Sequence, residues 1–81
     1  MKVITLELNK FIQNFADQFD ETDVAAFTAD TDFKELDEWS SLLALTIIAM
    51  IDEEYGVEIK GDHIRKSVTI KDLFDIVKSK K

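Results

Sequence analysis

The stretch Leu36-Asp37-Glu38-Trp39-Ser40-Ser41-Leu42 puts two neighbouring hydroxyls where a polar loop gives way to a long apolar run. A serine at such a boundary has two distinct uses. As an N-cap, its oxygen accepts a hydrogen bond from a backbone N–H two or three residues ahead, one of the donors that a helix start leaves without an intrahelical partner. As the first helical residue, its hydroxyl stands at the positive end of the helix dipole, where a phosphate ester is electrostatically favoured. With Ser40 as the cap, Ser41 is the candidate for modification. The bland alternative is that both serines are structural.

Other residues offer less chemistry. The chain has no cysteine and a single histidine, His63, so a disulfide scaffold, a zinc cluster and a thiol- or His-dependent catalytic triad all lack their residues. His63, among Asp62, Arg65 and Lys66, reads as a solvated side chain. Asp30 and Asp32 open like a calcium loop, but Glu35 stands where that loop needs glycine and Ser41 where it needs its closing glutamate. The expectation is neither a catalytic residue set nor a metal site.

The elements that must position the serines follow from periodicity. Ile4, Leu8, Phe11, Ile12, Phe15 and Phe19 recur at helical spacing, opposite Glu7, Lys10, Asn14 and Asp17, which predicts an amphipathic helix over residues 3 to 19. From Leu42 to Tyr55 apolar residues surround most of the helix and Gly56 follows as a breaker, so this second helix is expected to be central and buried on more than one side. Thr69, with Asp72 three residues later, caps a last helix carrying Ile70, Leu73, Phe74, Ile76 and Val77 and ending in Lys78, Lys80 and Lys81. Between them there is room for one short helix near 62 to 66, anchored by Ile59, Ile64 and Val68.

Residues 20 to 40 form a connection unusually long for a compact domain. Val24, Phe27, Phe33, Leu36 and Trp39 punctuate its acids and can tack it to the helices, with a brief turn of helix in "DVAAF"; Trp39 is read as a packing anchor. At 81 residues and 46% apolar content, residues 1 to 81 make one all-α domain, three main helices plus a short third one. A formal charge of −7 disfavours nucleic acid and anionic membranes and favours partners with basic surfaces. The start "MKVITLELNKF" lacks a signal-peptide pattern and the longest apolar run, 42 to 51, is broken by Thr46, so a cytoplasmic monomer without membrane insertion is expected.

The segment "TDFKELDEWSSLLALTIIAMIDEEYGVEI" resembles the acyl carrier proteins, in which an Asp-Ser-Leu opens the second helix and a common variant reads Trp-Asp-Ser-Leu after an F-x-x-L loop. Phe33, Leu36, Trp39, Ser41 and Leu42 fall on that variant, and "SVTIKDLFDIV" falls on the family's last cap and helix. The likeness spans roughly residues 30 to 78. It implies a small antiparallel four-helix bundle whose Ser41 receives a 4'-phosphopantetheine arm from coenzyme A through a phosphopantetheinyl transferase. The protein would then carry acyl groups as thioesters in fatty-acid or polyketide-like synthesis, and would not be an enzyme.

The resemblance further implies that Leu42, Thr46, Asp52, Glu53 and Glu54 meet acyl-transferring, ketosynthase or ligase enzymes with basic docking patches. Two departures stand out. Ser40 replaces the family's Asp before the modified serine, and Leu43 and Thr46 are uncharged where many members carry acids, which suggests dedicated partners or a more hydrophobic docking surface. The alternatives are a peptidyl or aminoacyl carrier, or an unmodified acidic module for protein interaction.

Overall fold

The computed structural model describes the backbone of residues 3–80 and side chains from Leu8 onward; the expected positions Ile4, Glu7 and Lys81 lie outside the described side chains. Four helices, α1 (Val3–Ala16), α2 (Ser41–Tyr55), α3 (Gly61–Lys66) and α4 (Ile70–Lys80), are joined by connections that contain two single 3-10 turns, Val24–Ala26 and Phe33–Glu35. Helix α1 packs on both α2 and α4, and α3 rests against α4, giving the four-helix bundle expected from the sequence.

The core is unusually aromatic. Phe11, Phe15 and Phe33 are fully buried, and an unbroken chain of ring contacts runs from Phe11 through Phe15 to Phe19, Phe27, Phe33 and Trp39 at centroid separations of 4.9 to 6.4 Å. Tilted and edge-on pairs of this kind contribute about 0.5–1.5 kcal/mol each beyond the area they bury. Ile47, Ile51, Ile70, Leu73 and Val77 close the core from α2 and α4. Asn14 Nδ2 donates to the Tyr55 hydroxyl at 3.1 Å, tying α1 to α2 above the Phe11 ring.

Four sequence expectations are corrected. Helix α1 stops at Ala16, short of residue 19, because its last amides tighten into i→i−3 bonds, Gln18 N–H to Phe15 O and Phe19 N–H to Ala16 O; Phe19 still reaches the core through this turn. Helix α2 buries only the face of Ile47, Met50 and Ile51, leaving Leu42 73% and Leu45 64% exposed. Val24 and Val68 are exposed and anchor nothing, while the neighbouring Ser67 is buried and donates to His63 O. His63 is half-buried, its Nδ1 accepting the Lys60 N–H at 2.9 Å, so it closes the first turn of α3 instead of standing in solvent.

The long connection is ordered by named contacts. The Glu38 carboxylate accepts from the N–H groups of Asp20, Glu21 and Thr22 and from the Thr22 hydroxyl, fastening the exit of α1 to the entrance of α2. The Thr31 hydroxyl donates to Ala26 O and accepts from Thr28 N–H. The amides of Ile70 and Lys71, free at the start of α4, donate to Thr31 O and Ala29 O. Phe27 and Phe33 are buried, Leu36 and Trp39 pack on the core, and Asp23 caps the short turn over Val24–Ala26.

Candidate functional site

Ser40 and Ser41 part company by one residue. Ser40 has extended backbone, φ −158° and ψ 171°, and its Oγ accepts the Leu43 N–H at 3.2 Å while its carbonyl takes the Ala44 N–H at 3.0 Å. It is therefore the N-cap of α2, and its oxygen is committed to the helix. Ser41 is the first helical residue, exposed, with no hydrogen bond to its hydroxyl among the described residues. A free hydroxyl there meets an approaching electrophile without breaking any protein contact.

What holds the serines in place is the packing behind them. Trp39 lies edge-on to Phe33 at 5.0 Å and stacked near Phe19 at 6.3 Å, so the residue before the cap is held by the aromatic core. Glu38, one step earlier, is fixed by its four hydrogen bonds. Partial burial pushes the Glu38 carboxyl up, but the Asp20 N–H, the Thr22 hydroxyl and the Glu21 and Thr22 N–H groups together hold it below the usual carboxylate range. At its other end α2 stops at Gly56, whose φ of 65° is the left-handed conformation that glycine adopts without strain.

Ser41 is among the residues lining an open groove of about 630 Å³ between α2 and α3. Its floor is apolar, made by Trp39, Ala44, Leu45, Ile48 and Ile64, and Lys34 and Arg65 also line it. Lys34 Nζ donates to Ile64 O at 3.4 Å and Arg65 O at 3.0 Å, securing the C-terminal end of α3. Arg65 pairs with Asp62 on its own helix.

The expected docking residues are divided by the helix. Eleven positions, close to three turns, separate Leu42 from Glu53, and seven, close to two turns, separate Leu45 from Asp52, so Leu42, Leu45, Ala49, Asp52 and Glu53 form one exposed stripe. Thr46 lies on this stripe, but its hydroxyl donates to Leu42 O at 3.0 Å and is spent on the helix. Glu54 is exposed but stands two turns beyond the buried Ile47, off the stripe.

Glu38, Lys34 and the structural role of His63 escaped sequence reasoning. For Glu38 the signal is invisible because its partners are irregular backbone amides sixteen to eighteen residues upstream. Among the described residues no group of three or more His, Cys, Asp or Glu side chains could hold a metal ion, and no helix is long and apolar enough to cross a membrane.

Comparison with known proteins gives one family: the family model described as "Phosphopantetheine attachment site" matches residues 9–77. Neither the curated proteins nor the solved structures give a significant match.

Proposed function

Because the chain belongs to the family of phosphopantetheine-attachment carrier domains, we propose that its arm is attached to Ser41 and bears acyl intermediates of fatty-acid or polyketide-like biosynthesis. Domains of this family are sites of covalent 4'-phosphopantetheine attachment and act as carriers, not catalysts, served by phosphopantetheinyl transferases and partner enzymes. When attached, the arm supplies a thiol on which an acyl group is held as a thioester.

The observation that carries the assignment is the contrast between the two hydroxyls: Ser40 Oγ is bound to Leu43 N–H, whereas Ser41 is exposed and unbonded at the head of α2. The residues present fit the arm. The helix start favours a phosphate ester on Ser41, the groove beside it is apolar and cationic, and no carboxylate lines it among the described residues. The exposed stripe of Leu42, Leu45, Ala49, Asp52 and Glu53 supports a partner surface with an apolar centre and basic flank, with Thr46 offering its methyl and Glu54 reaching only a partner that wraps the end of α2. The acidic balance leans only slightly from aminoacyl toward acyl cargo.

Incubation with coenzyme A and a broad-specificity phosphopantetheinyl transferase, followed by intact mass and peptide mapping, tests the site. An adduct on Ser41 is the expected result. An adduct on Ser40, or none with a transferase proven active on a control carrier, overturns it. Offering the loaded protein to an acyl ligase and to an amino-acid-adenylating enzyme separates the cargo classes, with a thioester expected from the first alone.

A further inference from the structure

Ser41 owes little of its position to its own helix. Its hydroxyl bonds to no described group, Leu42 and Leu45 are exposed, Leu43 is half-buried, and the first buried side chain of α2 is Ile47, six residues on. A helix start with so little beneath it frays. The head of α2 must therefore take its pose from the residues just before it. Those residues are fastened to the exit of α1 by a latch of two adjacent parts. Trp39 stacks near Phe19 at 6.3 Å, with 24° between the ring planes. The next residue on each side makes the polar half: the Glu38 carboxylate accepts the Asp20 N–H at 2.8 Å, the Glu21 and Thr22 N–H groups at 3.0 Å each, and the Thr22 hydroxyl at 2.8 Å. Three successive amides converging on one group form an anion-binding nest, and hydrogen bonds to an ionised acceptor are about twice as strong as neutral ones.

On the assignment of the arm to Ser41, we infer that Glu38 is a positioning residue for arm attachment: by filling the nest at residues 20 to 22 it fixes the segment from Glu38 to Ser41, and with it the line along which the serine meets coenzyme A on the transferase. In that transfer the Ser41 oxygen bonds the phosphorus next to the pantetheine, the pyrophosphate P–O bond breaks, adenosine 3',5'-bisphosphate leaves, and the hydroxyl proton passes to a base outside this chain. Such a displacement needs the attacking oxygen in line with the leaving group, and misplacement by about 1 Å can cost about 100-fold in rate. A loosened latch lets Ser41 swing, while Ala49, Asp52 and Glu53 stay in place beyond the buried Ile47. Binding to the transferase then survives and turnover falls. The exit of α1, far upstream in sequence, becomes part of what makes this chain a substrate.

The test is steady-state kinetics of a broad-specificity phosphopantetheinyl transferase at saturating coenzyme A, with the apo protein as the varied substrate and the product mapped by mass spectrometry. Glu38→Ala is expected to lower kcat by about tenfold or more while KM changes by less than about twofold. Glu38→Gln, which keeps one acceptor oxygen, recovers part of the loss; Thr22→Val lowers kcat, and Thr22→Ser, which keeps the hydroxyl, restores it. Amide order parameters of residues 39 to 42 fall in Glu38→Ala from near the rigid value of about 0.85 to below about 0.6, while those of α4 hold. Because losing Glu38 also lowers stability, Val77→Ala, a truncation in the core of α4, serves as the control: it is destabilised and keeps kcat. An unchanged kcat in folded Glu38→Ala, a loss confined to KM, or an equal loss of kcat in Val77→Ala overturns the inference. Where Glu38→Ala does not fold, unmutated kcat values in both Glu38→Gln and Thr22→Val overturn it. An unmutated chain that takes no arm, or takes it away from Ser41, overturns the attachment site itself, which mapping separates from a slow variant.

Discussion

Replacing Ser40 with Ala removes the acceptor of the Leu43 N–H, and an N-cap loss of this kind costs about 1 kcal/mol. Replacing Ser41 with Ala removes a hydroxyl that no described group uses, so stability changes by no more than about 0.5 kcal/mol while attachment of the arm is abolished. Urea denaturation of the two variants alongside mass analysis of their products checks both expectations together; a Ser41→Ala protein as destabilised as Ser40→Ala would mean that the two hydroxyls share the cap. Ser40 as the cap and Ser41 as the first helical residue were legible in the sequence because cap chemistry is local. Gly56, Thr69 and Asp72 were legible for the same reason: Asp72 N–H donates to Thr69 Oγ1, and the Asp72 carboxylate takes the Thr69 and Val68 amides. Side chains whose partners are distant in sequence, Glu38 and Lys34 above all, left no local signature.

Between residue and bundle, the long connection decides where α2 begins. Phe33 is fully buried against Phe15 and Trp39, and Phe33→Ala is expected to cost about 3–5 kcal/mol, read by denaturation. The fold's acid sensitivity follows from two carboxylates. Glu38 is held low by hydrogen bonds that outweigh its partial desolvation, and Asp72 chiefly by the Thr69 and Val68 amides, so both pKa values fall on folding. The unfolded chain then binds the more protons in the window below the ordinary Glu and Asp values, about 4.3 and 3.9. The stability they contribute is complete above those values and is lost as pH falls through the lower folded ones. Glu38→Gln is expected to flatten this acid limb while leaving the slope between pH 5 and 7 unchanged; an identical acid limb in a pH series of denaturation curves would remove Glu38 as a cause. Helix existence was readable from spacing, but α2 shows where spacing fails. Its run of apolar residues looks the same whether they face a core or a partner, and only the aromatic cluster, which already fills the bundle, leaves Leu42 and Leu45 outside.

At the scale of the whole molecule, a net charge of −7 works against a small bundle. Acids gather in the α1–α2 connection, at Asp17, Asp20, Glu21 and Asp23, and again at Asp52, Glu53 and Glu54, all exposed. The ion pairs among the described residues, Arg65–Asp62 and Lys71–Asp75, join neighbours on one helix and are half to three-quarters exposed, so each contributes little. Added salt acts on attraction and repulsion alike. It weakens those pairs slightly, and it shortens the screening length from about 30 Å at 0.01 M to about 8 Å at 0.15 M, which removes most of the repulsion between separated acids. The repulsion outweighs the pairing, because it runs over the whole surface and the pairs are local. The thermal midpoint is therefore expected to rise from 0.01 to 0.15 M sodium chloride, and to rise further with millimolar magnesium, in calorimetry at neutral pH. A midpoint that stays flat or falls would mean that the acids are too well solvated to burden the fold, and that the charge serves the partner surface alone.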